Sequence, residues 1–344
     1  NKQSVRALLA DVHLWRGDYA QCAEYCRQIM DEKMADYNEL QEQIAAGDFS
    51  DYSYEGDLRL YNGYPLLNSS YNPTMYYDYP YEMIFYTGNS FESIFEMQYN
   101  LEYRSNGNEG VTFFYGAHDN NNGRLDVATY MTTRTNGSLF DNMADKRLMT
   151  NTSYDGMNTS SAYVVYKFRG IPMISNGTVT HGLRSTAENW IVYRLTDVML
   201  MRAEALIELG RLAEARCIVN DIRQRAKNSV AKHIGYAADQ CDISLYPESY
   251  FADKESARRC LRWERRLEMA MENGRFFDLR RWGVASETLG RFFDRAQHFS
   301  YDGKAYGQYY SGAHFTPGKN EFFPVPYNQM YYIPGLYTQN KNYN

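Results

Sequence analysis

Residues 264–283 read ERRLEMAMENGRFFDLRRWG. Arg265, Arg266, Arg275, Arg280 and Arg281 stand beside Glu264, Glu268, Glu272 and Asp278, with Leu, Met, Phe and Trp between them. The stretch is too charged for an ordinary core and too apolar for an ordinary surface. Asp253 is placed to cap a helix running to about Glu272, and Asn273-Gly274 to end it. On that helix Ala257, Cys260, Leu267 and Met271 form an apolar stripe. Glu264 falls inside the stripe, so it is expected to be buried, and a buried carboxylate needs a charged partner. Nearby arginines, Arg265 to Arg281, are the candidate partners. Glu264, Glu268 and Glu272, four apart, are expected on one face. Phe276, Phe277, Leu279 and Trp282 are expected to anchor a short following helix. The stretch reads as an ion-paired, aromatic-packed clamp belonging to the frame, with capture of an acidic ligand as the competing reading.

Working outward, two segments share one plan. YRLTDVMLMRAEALIELGRLAEARCIVNDIRQRA (193–226) carries Leu195, Val198, Met199, Arg202, Ala203 and Leu206 at helical spacing. Gly210 breaks the pattern, and Leu212, Ala215, Val219 and Ile222 restart it. Small Ala203 and Ala215 let the two helices approach, and Gly210 permits the turn. SVRALLADVHLWRGDYAQCAEYCRQIMD (4–31) repeats this. Gly17 is the turn, Cys22 takes the small position five residues on, Ala10 matches Ala203 and Ile29 matches Ile222. A turn glycine followed by a small residue five positions later is the tetratricopeptide arrangement. Two such units are too few for a solenoid, so other parts must supply packing. The expected architecture is mainly α, a tetratricopeptide-like helical hairpin scaffold with long irregular Tyr-rich insertions and a few short strands. Helical units are placed near 4–46, 188–228 and 253–282 of a single domain spanning 1–344. The segments near 47–187 and 283–344 are read as irregular insertions on the ligand side. Within them ESIFEMQY (92–99) and AYVVYKF (162–168) are expected strands, and SLFDNMADKRL (138–148) a short helix.

Composition narrows the function. The net charge of −6 argues against a nucleic-acid surface. No run of about 18 apolar residues is present to cross a membrane, and no signal sequence is visible at the start. The chain begins at Asn1 with a helical pattern already under way at Ser4, so a leader and more of the protein are expected upstream. The five cysteines lack zinc-ligand spacing and are read as small buried residues or free thiols. No G-x-S-x-G, H-E-x-x-H or P-loop occurs. HDNNNGRLD (118–126) fails as an EF-hand loop, because His118 would occupy position 1 and no Glu follows at position 12. No catalytic residue, metal site or cofactor is expected.

Tyrosine is the compositional outlier, 33 of 344 residues. One cluster runs from Tyr52 to Tyr81, another from Tyr301 to Tyr343. Tyrosine offers a large apolar ring with a polar tip and loses little entropy when fixed. Such clusters suit binding surfaces, and they also suit irregular segments that pack without regular secondary structure.

Four segments together resemble the SusD/RagB family. WERRLEMAMENGRFFDLRRWG (263–283) is similar to its E-R-R-x-E-L and E-G-x-R-x-x-D-L-x-R-W signature, with Met269 at the usual Leu and Asn273 before Gly274. The matching positions are Glu264, Arg265, Arg266, Glu268, Gly274, Arg275, Asp278, Arg281 and Trp282. YRLTDVMLMRAEALIELG (193–210) resembles the family's R-L-A-D-V-L-L-x-x-A-E-A segment, and FESIFEMQY (91–99) its E-x-I-F-E-x-Q-Y strand. FPVPYNQMYYIPGLYTQNKNY (323–343) resembles its C-terminal ending, with Lys341-Asn342 in place of Pro-Gly. The resemblance implies a cell-surface, lipid-anchored outer-membrane protein that binds glycans, or in some cases peptides. It implies a SusC-like TonB-dependent transporter as partner, on which the protein sits as a lid, and no enzymatic activity. The lipid-bearing cysteine would lie outside this chain.

Aromatic platforms with polar rims are the expected sugar-binding chemistry, and loops on a rigid scaffold the expected place. YNPTMYYDYPY (71–81) and YRSNGNEGVTFFYGAHDNN (103–121) combine these features. Tyr76, Tyr77, Tyr79, Arg104, Asn106, Tyr115 and Asp119 are the candidate ligand residues. The alternatives are a peptide-binding lid and a helical-repeat scaffold that binds protein only.

Overall fold

A computed structural model describes residues 1–47, 58–61, 63–68, 81, 83–99, 108–115, 139, 145, 147, 167–168, 173–175, 178–180, 188–227, 243–272, 274–289, 300–301, 304–305, 316–332, 335–336, 338–340 and 343. These fall into two compact units, Asn1–Met271 and Glu272–Asn344. The first unit runs α1 (Lys2–Trp15), α2 (Tyr19–Ala45), β1 (Leu58–Tyr61), β2 (Tyr64–Leu67), a π-turn (Met83–Thr87), β3 (Ser93–Met97) and α3 (Glu109–Tyr115). It continues with β4 (Met173–Ser175), β5 (Thr178–Thr180), β6 (Trp190–Arg194), α4 (Leu195–Glu208), α5 (Leu212–Ala226), a 3₁₀ turn (Glu248–Phe251) and α6 (Lys254–Glu268). The second unit holds α7 (Arg275–Arg281), β7 (Ser300–Tyr301), β8 (Lys304–Ala305) and α8 (Tyr327–Tyr332).

The two helix hairpins close by the same hydrogen bonds at matching positions. At the α1–α2 turn Gly17 has φ +73°, its N–H donates to Leu14 O at 3.1 Å, and Asp18 N–H donates to His13 O at 2.9 Å. At the α4–α5 turn Gly210 has φ +80°, its N–H donates to Ile207 O at 3.0 Å, and Arg211 N–H donates to Leu206 O at 2.8 Å. A side chain at either glycine would enter the left-handed region at a cost of about 1–2 kcal/mol. The small positions behave as the spacing requires: Ala10, Cys22, Ala203 and Ala215 are fully buried, as are Ile29 and Ile222.

α4 is the axis of this unit. Each residue from Leu195 to Ile207 is buried, and the helix packs against α1, α2, α5 and α6. A helix surrounded on all sides must satisfy its own charges. Asp197 pairs with Arg265 at 2.7 Å, and Arg202 donates to the Tyr64 hydroxyl at 3.0 Å. A second apolar cluster gathers Leu67, Tyr81, Phe85, Tyr115, Phe168 and Leu267. There Phe168 stacks against Tyr115 (5.4 Å, 8°) and Trp190 (5.2 Å, 7°).

Three sequence expectations need correction. WIVYR (190–194), read as part of a helical stretch, is strand β6, paired antiparallel to β3. It is too short to show a period, and its partner lies about a hundred residues upstream. β1 and β2 form an antiparallel hairpin, Leu58 opposite Leu67 and Tyr61 opposite Tyr64, within a segment read as irregular. α6 ends at Glu268 and not near Glu272, and Met271 has φ +66°. The physical reason is a cap supplied from far away. Lys167 Nζ donates to Glu268 O and Ala270 O, both at 2.9 Å, and Arg194 donates to Glu268 O at 3.0 Å. Those cations satisfy end carbonyls that another helical turn would otherwise have engaged. Glu272 therefore lies beyond the end of α6, where helical spacing no longer applies. The expected strand at 162–168 and helix at 138–148 lie mostly outside the described residues.

Candidate functional site

The signature stretch of the first unit builds a buried ion cluster. Asp253 caps α6 as expected, accepting from Ser256 N–H at 2.9 Å. Three turns on, Glu264 and Glu268 point inward, each 0% exposed. Their partners come from other elements, not from the neighbouring arginines proposed from sequence. Glu264 pairs with Arg147 at 2.7 Å and with Arg223 at 3.0 Å. Glu268 pairs with Arg225 at 2.6 Å, Arg194 at 2.8 Å and Arg147 at 3.4 Å, and it accepts from the Tyr81 hydroxyl at 3.2 Å. Arg225 also reaches Glu92 at 2.7 Å, and Glu92 accepts from Leu67 N–H at 3.0 Å. Arg147 is held on its other side by Asp145 at 2.7 Å. One cluster thus ties α5, α6, the head of β3, β2 and the entry to α4 together.

Electrostatics follow from this geometry. Burial alone would raise the Glu268 pKa, but Arg225, Arg194 and Arg147 outweigh it and hold the carboxyl well below its ordinary value. Burial disfavours charge on Arg147 and Arg225 in the same way, and the surrounding carboxylates overcome it and keep both charged. The rings enclose the charges: Arg225 lies over Tyr81 at 4.8 Å, Arg194 over Phe85 at 5.4 Å and Arg223 over Tyr246 at 4.6 Å. Of the remaining signature residues, Arg265 pairs with Asp197 and Arg266 lies over Trp263 at 5.5 Å. Glu264 and Glu268 are fully engaged by arginines, which is the work of a frame. At its edge Glu92 Oε2 and Arg225 Nε are buried without a hydrogen-bond partner among the described residues.

FESIFEMQY contributes a second polar knot. Glu96 accepts from Asn89 N–H and from the Asn189 side chain, both at 2.9 Å. Asn89 and Gln98 exchange amide hydrogen bonds at 2.9 and 2.8 Å. The knot holds a turn in which both Gly88 (φ +70°) and Asn89 (φ +51°) are left-handed. A Cβ on Gly88 would stand 2.9 Å from Asn189 Nδ2. Sequence reasoning missed this role of Glu96 and Gln98, because Asn189 is remote in the chain.

The candidate ligand residues fare unequally. Tyr115 is 1% exposed, its ring stacks on Phe168, and its hydroxyl donates to Met271 O at 2.7 Å. It belongs to the second core and not to a surface. Tyr76, Tyr77, Tyr79, Arg104, Asn106 and Asp119 lie outside the described residues. Among the described cysteines, Cys22, Cys26 and Cys260 are buried and Cys217 exposed, all as free thiols. Among the described residues no group of three or more His, Cys, Asp or Glu could hold a metal ion. No described helix is long and apolar enough to cross a membrane.

Two exposed apolar surfaces stand out. On α1, Val5, Leu8, Leu9, Val12 and Trp15 face outward, opposite the buried Ala7, Ala10 and Leu14. In the second unit, α7 continues the signature. Leu279 anchors it, Asp278 pairs with Arg281 at 2.9 Å, and Arg275 and Arg281 lie over Trp282 at 5.5 and 5.6 Å. Gly274 is its N-cap. Phe277, expected as an anchor, is instead exposed. Farther on, α8 has no buried residue, and Tyr327, Tyr331 and Tyr332 are 76%, 65% and 75% exposed.

Comparison with known proteins places this architecture. The family model described as the SusD family matches residues 130–343, more than half of the chain. SusD-like protein P38 of Formosa agariphila is 35% identical over 102 residues, 30% of this chain and 18% of that protein. SusD-like protein P25 of the same organism is 36% identical over 103 residues, 30% of this chain and 17% of that protein. A SusD homolog from Bacteroides thetaiotaomicron superposes with a TM-score of 0.58 at 17% identity, over 99% of this chain and 63% of that one. Surface glycan-binding protein A from the same organism, solved in complex with laminarihexaose, gives 0.54 at 17% identity, over 98% of this chain and 63% of that one. The chain thus spans less than two thirds of the length of each of these relatives. The ordered hairpins, the buried signature cluster and the family match lead to one conclusion: this chain belongs to the SusD family.

Proposed function

We propose that the protein is a cell-surface glycan-binding protein that captures oligosaccharide and delivers it to a SusC-like TonB-dependent transporter, without bond chemistry. The observation that carries this reading is the family match over 130–343, which takes in both the signature and the tyrosine-rich tail. The state of the signature acids supports it. Glu264 and Glu268 are enclosed and bound by guanidinium groups, whereas a glycosidase needs its two carboxyl groups open to substrate. Two solved structures sharing this fold are a laminarin-binding SusD-like protein, at a TM-score of 0.52 and 20% identity, and the laminarihexaose complex above. Tyr76, Tyr77 and Tyr79 would supply ring platforms, and Arg104, Asn106 and Asp119 hydrogen bonds to hydroxyl groups. A lipid anchor would hold the protein at the outer membrane.

The test is affinity electrophoresis of the full-length protein in gels containing laminarin, dextran or polygalacturonate, followed by calorimetry, with a casein digest as the peptide arm. Retardation by one polysaccharide, with no shortening of its chains, is the expected result. Binding confined to the peptide digest would replace glycan by peptide as cargo. Release of reducing ends would overturn the non-enzymatic reading.

A further inference from the structure

We propose that the exposed face of α8, with Tyr327, Tyr331 and Tyr332 at its centre, is a binding platform for the faces of neutral pyranose rings. The proposal rests on the glycan-binding reading and adds a site to it. Three observations support it.

The first is exposure. Exposed apolar patches on a folded protein mark interaction sites, and the three rings of α8 are all more than 60% exposed. Tyr327 and Tyr331, one helical turn apart, lie 6.0 Å apart and within 23° of parallel. Tyr331 and Tyr332 meet at 76° with centroids 5.6 Å apart. The result is a corner, in which a flat ligand can lie on one ring and abut the next.

The second is stiffness. A short exposed helix has little stability of its own, so something must hold it. Gln339 grips the backbone of Val325 like a strand neighbour, accepting from its N–H at 2.7 Å and donating to its O at 3.1 Å. The Asn340 side chain donates to Phe323 O, and the Tyr343 hydroxyl donates to Phe322 O at 2.9 Å. Pro324 and Pro326 restrict the same backbone. The rings are carried on a braced support, which lowers the entropy cost of binding.

The third is charge. The chain is 23% charged, yet Phe322–Asn340 contains no charged side chain. The cations at the edge of the segment are engaged by other rings, Arg280 over Phe322 and Lys319 over Tyr343, each at 4.9 Å, so a charged partner finds no complement at Tyr327, Tyr331 and Tyr332 themselves. Neutral polyols do: ring faces receive apolar C–H groups, and phenol tips with the exposed amides of Asn328 and Gln329 meet hydroxyl groups. The outward face of α1 differs in kind, since four of its five side chains are aliphatic and offer no polar tip.

The experiment compares the full-length protein with two triple variants, Tyr327→Ala/Tyr331→Ala/Tyr332→Ala and Tyr327→Phe/Tyr331→Phe/Tyr332→Phe. Affinity is read by calorimetry against the neutral polysaccharide, laminarin or dextran, that retards the unmodified protein, and folding by thermal melt. The alanine triple is expected to weaken binding about ten-fold or more with an unchanged melt. The phenylalanine triple, which keeps the ring faces, is expected to stay within about three-fold of the parent. Full binding by the alanine triple would overturn the platform and leave the glycan reading standing. Retention of the unmodified protein by polygalacturonate alone would overturn the neutral-ligand argument. Failure to bind any polysaccharide would overturn the glycan reading and the platform with it.

Discussion

The buried cluster around Glu268 and the exposed corner around Tyr331 invert each other. In the first, charges lie inside and rings wall them off. In the second, rings lie outside, and the three at its centre carry no charge. Most proteins place these groups the other way round. The difference separates two kinds of cost. A buried ion network costs desolvation and gains a defined arrangement only when every member is paired. Glu264 and Glu268 meet that condition through Arg147, Arg194, Arg223 and Arg225, drawn from several elements. Exposed tyrosines cost apolar hydration and add no stability to the fold, so their presence is better explained by what they bind. A frame and a binding surface are accordingly expected to respond to mutation in opposite ways.

The largest effect should come from the centre of the frame. Glu268→Ala leaves Arg194 and Arg225 buried without their shared acceptor, at a cost of roughly 3–5 kcal/mol. Urea unfolding of the purified variant measures this; a loss under about 1 kcal/mol would mean the cluster relaxes by admitting water. Acid should loosen the same place. The Glu268 carboxyl titrates below its ordinary value of 4.5, so its contribution is complete above that value. It is lost as pH falls, because the unfolded chain takes up a proton that the folded one refuses. Unfolding free energy should therefore be level from pH 7 to about pH 5 and decline below it. A curve that stays flat to about pH 3 would contradict the assigned pairing.

Smaller effects sharpen the contrast. Gly210→Ala forces a side chain to φ +80° with nothing within 4 Å of the new Cβ, so backbone strain alone should appear, about 1 kcal/mol in the same assay. Gly17→Ala should match it, since the two turns share one closure; a large difference between them would break the repeat. At the bottom of the scale, Glu24→Ala removes an exposed pair with Arg27 on α2, and the unfolding midpoint should not move measurably.

Much of the frame was legible in the sequence. Gly17 and Gly210 announce their turns because only glycine tolerates that backbone. Ala10, Cys22, Ala203 and Ala215 announce close helix approach by size. The burial of Glu264 followed from its place in an apolar stripe. Its partners did not, because helical spacing reports neighbours on one element, while Arg147 and Arg223 arrive from others. The end of α6 was misread for the same reason: Asn273-Gly274 is a sound local stop, but Lys167 and Arg194 cap the helix a turn earlier. Tyrosine richness alone did not separate core from surface. Tyr115 and Tyr331 look alike in the sequence, and only packing shows that the first closes a core while the second faces solvent.

The most direct test of the division between frame and surface is Glu268→Gln, measured for both stability and glycan affinity in the full-length protein at pH 7 and low temperature, where the folded fraction is high. The account predicts a large loss of unfolding free energy and an unchanged dissociation constant for the folded protein. Unchanged stability with lost affinity would contradict it, and would make the signature cluster the binding site.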